Sequence, residues 1–406
     1  MFLSKLYGEK SNLDQAKKRI LDLQNLFIEK EKSMPEYIFS SSGRAEILGN
    51  HTDHNNGMVM VASISCDCLA VVSKRDDNIV KIYSEGYNPI VVDISDTSVK
   101  SEEYATSNAL TRGVAKGIID KGFQIKGFTA YLTSNIFKGA GVSSSAAFEV
   151  LVCEIFNTLY LNKTLTDIDR AIISQFAENV YFNKPCGLLD QSGISIGSLV
   201  KLDFENPLTP QVKQVSPPKG YTLVITNTGG DHASLTEHYA SIREEMESVA
   251  SYFGKKVLRQ ISYEEFLSQI PKLKRHFSGR AILRAMHYYK ENKRVLLAEK
   301  ALENNDTETF LKCVNESGIS SLSLLQNCYV PNDKNQPIVV GIEYSRAIIK
   351  DGACRVHGGG FAGSILAIVS DKEVDNYIRK MKTLFGKDNV FKAYIRTVGT
   401  TEITLD

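Results

Sequence analysis

Asp190 is the one acid in an otherwise uncharged, turn-forming stretch, Pro185-Cys186-Gly187-Leu188-Leu189-Asp190-Gln191. An acid so placed either caps a helix or does chemistry. Three other stretches could share that chemistry. Gly139-Ala140-Gly141-Val142-Ser143-Ser144-Ser145-Ala146 joins two glycines, which let backbone N–H groups face an anion, to three serines that can cap the apolar helix after them. A helix N-terminus adds partial positive charge and unpaired N–H groups, so the stretch suits a phosphate; the alternative is an ordinary capped helix after a flexible turn. It is not a P-loop, because no GK[ST] is present there, and GxGxxG is not matched. Residues 43–55 carry eight hydrogen-bonding side chains in thirteen positions, a density that suits a polyol, or else a polar surface loop. Metal binding by His51, Asp53 and His54 is disfavoured, since neighbours in sequence rarely converge on one ion. The cluster Gly358-Gly359-Gly360-Phe361-Ala362-Gly363 at a strand start permits close approach of a ligand or another backbone, or tight domain packing.

These segments need a scaffold. At 406 residues the chain is long enough for about two domains, and 43% hydrophobic with 23% charged residues is ordinary for a globular protein. A formal charge of +1 recruits neither nucleic acid nor an acidic membrane; the basic run from Lys272 to Arg275 reads as a solvated helix face. The seven cysteines are scattered without a CxxC pair, which disfavours structural zinc, and Cys66 and Cys68 share a strand face at a separation unsuited to a disulfide. A reducing, cytoplasmic setting is expected. The first residues do not read as a signal peptide, and no run approaches a membrane span. Periodicity predicts helices over 11–32, 104–121, 165–183, 237–253, 262–270, 280–304 and 306–318. Strands are predicted over 58–75, 123–136, 197–204 and 221–228 and short strands over 79–93, with a glycine-led strand, a helix and a final strand pair at the end. Helices and strands in irregular order make the class α+β. The proline-rich stretch 205–219 marks the domain boundary, dividing the chain into 1–212 and 213–406.

Taken in order, the motifs resemble the GHMP kinase superfamily, and the galactokinases within it. GRAEILGNHTDHNNG (43–57) is similar to the galactokinase sugar signature, KGAGVSSSAAFEV (138–150) to the ATP-phosphate loop, PCGLLDQ (185–191) to the segment with the catalytic Asp, and HGGGFAGS (357–364) to the third glycine motif. Weaker likenesses lie at LTRGVAKG, AENVYFNKPCG and HASLTEHY, so the resemblance spans about residues 36–370. It implies a two-domain α+β fold, an S5-like N-terminal domain and a ferredoxin-like C-terminal domain, with the site in the cleft between them. It implies an ATP-dependent sugar 1-kinase acting on galactose. Asp190 would take the proton of the C1 hydroxyl, with Arg44 beside it. Gly139, Ala140, Gly141, Val142, Ser143, Ser144 and Ser145 would bind the ATP phosphates, and Ser145 with Glu178 would hold Mg²⁺. Asn50, His51, Asp53, Gly187 and Tyr239 would contact the sugar, and residues between 80 and 110 the adenine.

The chain departs from the family pattern at points that bear on substrate. Galactokinases read GEHTDYN where this chain has GNHTDHN. Asn50 replaces a Glu that would bind the sugar's C6 hydroxyl, and its amide could donate to a carboxylate that a Glu would repel. A kinase for galacturonate or N-acetylgalactosamine is therefore an alternative. A non-catalytic sugar and ATP sensor is another; loss of Ser145-Ala146 or of Asp190 would favour it, and all three are present. Ala362 and Ser364 stand where Gly and Cys are usual, and Asp231 stands where a basic residue is common, which nothing in the sequence explains. The expected partners are a sugar and ATP, with no nucleic acid or membrane, in a monomer or weak homodimer.

Overall fold

In a computed structural model of the chain, residues 2–8, 10–136, 141–230, 235–331 and 333–404 are described. Gly139, Ala140 and Asp231 lie outside them. Tyr37–Leu48 (β1) and Met58–Lys74 (β2) form a long antiparallel hairpin. Every β1 position after Tyr37 is buried, so its polar run cannot alternate with solvent. The serines are satisfied internally instead, Ser41 by Thr400 at 2.9 Å and Ser42 by Ser63 at 2.6 Å.

The other strands are Ile79–Ser84 (β3), Ile90–Asp93 (β4), Phe128–Ser134 (β5), Leu199–Asp203 (β6), Gln211–Val215 (β7), Tyr221–Gly229 (β8), Gly352–His357 (β9), Gly363–Ser370 (β10), Val390–Ala393 (β11) and Thr401–Glu402 (β12). The first sheet runs β12-β1-β2-β5-β3-β4, with β6 and then β7 on the other half of β2. Among the described residues, only its β3–β5 pairing is parallel. The second sheet is antiparallel, in the order β11-β8-β10-β9. One hydrophobic core joins them: the helix Ser144–Tyr160 buries Ala147, Val150, Leu151 and Phe156 in a cluster that also takes in Leu223 and Ile225 of β8.

The mixed α+β class holds, but the chain does not divide cleanly at 212/213. β7 pairs with β6 through Val215, so the first sheet runs past that boundary. The expected terminal strand pair is not a pair: β11 joins β8, whereas β12 crosses back to β1. A buried charge draws the tail home. Arg396 is fully buried, donates to Ser40 at 2.8 Å and lies 3.9 Å from Asp67, which also receives Arg19 at 2.7 Å and Tyr7 at 2.5 Å.

Helix positions match the periodicity with local adjustments. Lys10–Glu31 and Ser107–Asp120 are helices, the second opened by a Thr106 cap. The expected helix over 165–183 is Asp167–Phe176, opened by a Thr166/Asp169 capping box and continued by a π turn, Ala177–Tyr181, that carries Glu178. Pro337–Ile348 is a further helix, with Pro at its start, beyond those the periodicity predicts. All seven cysteines are free, and among the described residues no helix is long and apolar enough to cross a membrane.

Candidate active site

The site begins at an irregularity in the first hairpin. Between Ser42 and Gly43 the β1–β2 register jumps, from Ser42 opposite Asp67 to Gly43 opposite Ile64. A bulge of this kind bends the strand and re-aims the side chains beyond it. Gly43 keeps the bend open: a Cβ there would meet Cys66 Sγ at 2.8 Å and the Val142 carbonyl at 3.1 Å. The segment carrying the serines can therefore lie directly on β1, where Val142 O accepts the Arg44 N–H at 3.3 Å. The buried Arg44 side chain meets Asp190 with a two-pronged contact, Nε to Oδ1 at 2.8 Å and Nη2 to Oδ2 at 3.0 Å, while Nη1 donates to the Gly141 carbonyl.

Asp190 stands in the first turn of the helix Leu189–Ile196, whose cap residue is Leu188. Its carboxylate caps nothing; it goes to Arg44 and accepts from the Ser143 hydroxyl. Ser143 is the cap residue of the helix Ser144–Tyr160, yet its side chain makes no cap bond and its backbone is left-handed at φ 63°. A non-glycine residue held there is strained, as functional positions often are. Burial works to raise the Asp190 carboxyl, but Arg44, the Ser143 bond and Lys184 outweigh it and hold the group below the usual carboxylate range. The side chain is 35% exposed, so a ligand can reach it.

Ser145 lies in the first turn of that same helix and donates to Glu178 Oε1 at 3.1 Å. The same oxygen takes Lys184 Nζ at 2.7 Å, and Gln191 Nε2 links Glu178 Oε2 and Glu149 Oε1 at 2.8 Å each. Burial and the neighbouring Glu178 charge push Glu149 well above the usual range. Two hard oxygens side by side suit Mg²⁺. The Lys184 ammonium already sits on that carboxylate, and its side chain is 57% exposed. Among the described residues no three His, Cys, Asp or Glu side chains gather into a metal cluster, so protein ligands alone would not complete such a site.

The loop between β1 and β2 departs from the sequence expectation at one residue. Asn50 does not face a ligand. It is fully buried, and its amide hydrogens go to Glu46 Oε1 and to Gly358 O, both at 2.8 Å. Its Oδ1 accepts from Asn327 at 2.8 Å and Ser321 at 3.2 Å. Four bonds exhaust the side chain. Glu46 is itself held by Arg355 at 2.9 Å. His51, left-handed at φ 55°, has Nε2 at 2.9 Å from Gly359 O. Burial drives its pKa down to about 4, so the ring is neutral, donates through Nε2 and leaves Nδ1 as an acceptor. Asp53 takes backbone N–H groups of His54 at 3.0 Å and Leu189 at 3.4 Å. Burial and then the Asp190 charge push it up to about 6. Gly187 is required beside it, since a Cβ there would stand 1.7 Å from Asp53 Oδ2. The Tyr239 hydroxyl donates to Gly360 O at 2.8 Å. His54 Nδ1 accepts from Asn55 at 2.9 Å, which puts the ring hydrogen on a buried Nε2 that has no partner among the described residues.

Several positioning residues escape a motif-based reading. On the helix Gly279–Glu303, His287 meets Asn50 O at 2.9 Å, Glu291 accepts the Gly49 N–H at 3.0 Å, and Asn292 accepts the Met58 N–H at 2.6 Å. His287 and Glu291, four apart, are polar members of the buried stripe that includes Ala281, Tyr288, Val295 and Ala298. That break in an apolar stripe is a signal a sequence reading could use.

The chain is similar to known proteins over most of its length. Residues 25–74 match the family model of the galactokinase galactose-binding signature, and residues 108–198 that of the GHMP kinases N terminal domain. The chain is 32% identical over 368 residues to a galactokinase of Haemophilus influenzae, covering 89% of this chain and 92% of that one. It is 29% identical over 386 residues to a galactokinase of Clostridium perfringens, covering 93% and 94%. The crystal structure of Lactococcus lactis galactokinase complexed with galactose matches with a TM-score of 0.83 at 25% identity, over 95% of this chain and 100% of that one. A mevalonate kinase crystal structure matches with a TM-score of 0.63 at 11% identity, over 88% and 98%, and shares the fold.

The contest between burial and Arg44 at Asp190 is open to test. Arg44→Met removes the guanidinium and leaves the burial. The Asp190 carboxyl is then expected to titrate higher than in the wild type, monitored by carbon-13 NMR of the carboxyl carbon. A carboxyl that still titrates low would mean Arg44 is not what holds it ionised.

Proposed function

The chain belongs to the galactokinases of the GHMP kinase superfamily, and on that premise we propose that it transfers the γ-phosphoryl group of ATP to the C1 hydroxyl of galactose, giving α-galactose 1-phosphate and ADP. The observation that carries this reading is the reachable Asp190 carboxylate gripped at both oxygens by one edge of the Arg44 guanidinium. Asp190 accepts the C1 hydroxyl proton as the C1 oxygen bonds to the γ-phosphorus. The bond from that phosphorus to the β–γ bridging oxygen breaks, and ADP leaves with the electron pair. A base has to be ionised before it can accept a proton, which is what Arg44 provides. Arg44 also reaches the Gly141 carbonyl and so stands where charge develops on the transferring group.

Gly139, Ala140 and Gly141 through Ser145 cradle the β- and γ-phosphates, helped by the unpaired first-turn N–H groups of the helix Ser144–Tyr160. Ser145 and Glu178 would hold Mg²⁺, with phosphate oxygens and water completing its shell. When bound, that ion neutralises phosphate charge. Asp53 and the His51 Nδ1 accept sugar hydroxyls; Tyr239, the Gly187 backbone and the His54 N–H border the same space. In this reading one domain is the N-terminal half through β7 with the returned β12, and the other runs from β8 to β11. Seven free cysteines and a need for ATP support a cytoplasmic setting.

The galacturonate alternative requires a free Asn50 amide. Both amide hydrogens are occupied, and the nearby Glu46 carboxylate would repel a second one. In a coupled kinase assay with ATP·Mg²⁺, galactose is therefore expected to exceed galacturonate, N-acetylgalactosamine and glucose in kcat/KM by at least about tenfold, a difference of ~1.4 kcal/mol. Galacturonate equal to or better than galactose would overturn the substrate assignment.

The Asp53 carboxyl, raised to about 6, gives the pH dependence a sign. As pH falls through 6, Asp53 is protonated and loses an acceptor, while Asp190, held low by Arg44, stays ionised. The galactose KM is expected to rise on the acid side of that value with kcat little changed. In Asp53→Asn the KM is expected to be high at every pH and the rise to vanish. A wild-type KM that stays flat through this range contradicts the assignment.

A further inference from the structure

The third glycine motif begins with a side chain that the phosphoryl transfer leaves unused. His357 ends β9 and is 1% exposed. Its Nε2 accepts the backbone N–H of Glu46 at 3.2 Å, which fixes the tautomer and puts the ring hydrogen on Nδ1. Burial, with the Arg44 and Arg355 guanidinium groups nearby, pushes the imidazole pKa well down, so the ring is neutral. The Nδ1–H is buried and has no acceptor among the described residues. Such a donor is expensive to leave unmatched, and it calls for a partner that arrives with something else.

The direction in which it points names that partner. His357 Nδ1 lies 3.8 Å from where a Cβ on Gly141 would sit. Gly141 opens the described part of the phosphate loop, and its own carbonyl is already taken by Arg44. The neighbouring Gly358 packs on the same spot, since a Cβ there would meet Gly141 O at 3.3 Å and Arg44 Nη2 at 3.7 Å. Ser364, directly across from His357 on β10, is fully buried, and its hydroxyl also lacks a partner among the described residues. Polar capacity has thus been kept open where the third glycine motif meets the loop.

We propose that His357 is a nucleotide-positioning residue, whose Nδ1–H donates to an oxygen that arrives with the nucleotide, either a phosphate oxygen or a loop carbonyl drawn in around it. This rests on reading residues 139–145 as the phosphate loop. A neutral donor suits the place: it adds a hydrogen bond beside Arg44 without adding a charge that would compete for Asp190.

The test compares wild type, His357→Asn and His357→Phe. Calorimetry gives the affinities for ADP and a non-hydrolysable ATP analogue, and steady-state kinetics give the galactose KM. His357→Phe keeps a ring without the donor and is expected to weaken nucleotide binding about 3- to 10-fold, the worth of one hydrogen bond, with the galactose KM within about twofold. His357→Asn restores an N–H near the Nδ1 position and is expected to recover most of the loss. A loss larger for the ATP analogue than for ADP assigns the acceptor to the γ-phosphate, and equal losses assign it to the β-phosphate or the loop. Unchanged nucleotide affinity in His357→Phe, or a galactose KM that moves in step with it, overturns the proposal. Should the variants not fold, nitrogen-15 NMR of the wild-type imidazole decides. Its Nδ1–H signal is expected to shift and exchange more slowly when nucleotide is added, and an unmoved signal overturns the proposal. Wild-type protein that binds no nucleotide at all would instead remove the reading of the loop.

Discussion

The structure is built around keeping one carboxylate both charged and reachable. Burial alone would neutralise Asp190, so a guanidinium must lie against it from a part of the chain 146 residues away in sequence. That requirement sets the surrounding geometry. β1 carries a bulge at Gly43, which turns Arg44 inward and lets Val142 rest on the strand. Ser143 takes a left-handed backbone and gives its hydroxyl to Asp190 rather than to the helix it precedes. A buried ion pair of this kind is weak evidence for stability, because desolvation consumes much of its attraction. Its retention at an exposed edge of the core is better explained by chemistry than by folding.

A second constraint holds the loop between β1 and β2. It must present His51 and Asp53 while carrying unpaired backbone groups of its own, and the second half of the molecule supplies the partners. The Gly358 and Gly359 carbonyls take Asn50 and His51, and the helix Gly279–Glu303 supplies His287, Glu291 and Asn292. Burial works to raise the Glu291 carboxyl, but His287, Arg294 and Arg355 bring it down to about 2, so it stays ionised as an acceptor. Asn50 is the hub of this contact. A carboxylate at position 50 would lack the two hydrogens that Glu46 and Gly358 accept, so the departure from the family pattern is a matter of how the halves are joined.

The sequence carries the site's ingredients but not their wiring. Glycine and serine content marks the proposed phosphate loop, and an isolated acid marks Asp190, because those residue types are local signals. Whether Asp190 is a cap or a functional acid cannot be read locally; it turns on Arg44, which only folding brings near. Asn50 misleads for the same reason, since its partners Asn327, Ser321 and Gly358 lie 271 to 308 residues on. Arg355 and His357 stay silent in the sequence because their work is done in contact with β1, not within their own motif. In the fold, amphipathic helices are legible from apolar spacing, whereas β12 is not. Two residues cannot announce a strand, and what returns them to β1 is the buried Arg396 beside Asp67.

The most direct test of the central claim is a single substitution, Asp190→Asn, which keeps shape and removes the charge. Turnover with ATP·Mg²⁺ and galactose would be measured beside nucleotide and galactose affinities. A base held ionised by Arg44 predicts a fall in kcat of about 10²- to 10⁴-fold with both affinities within a few-fold of wild type. Turnover that survives the change would contradict the account, and the proton would have to leave by another route.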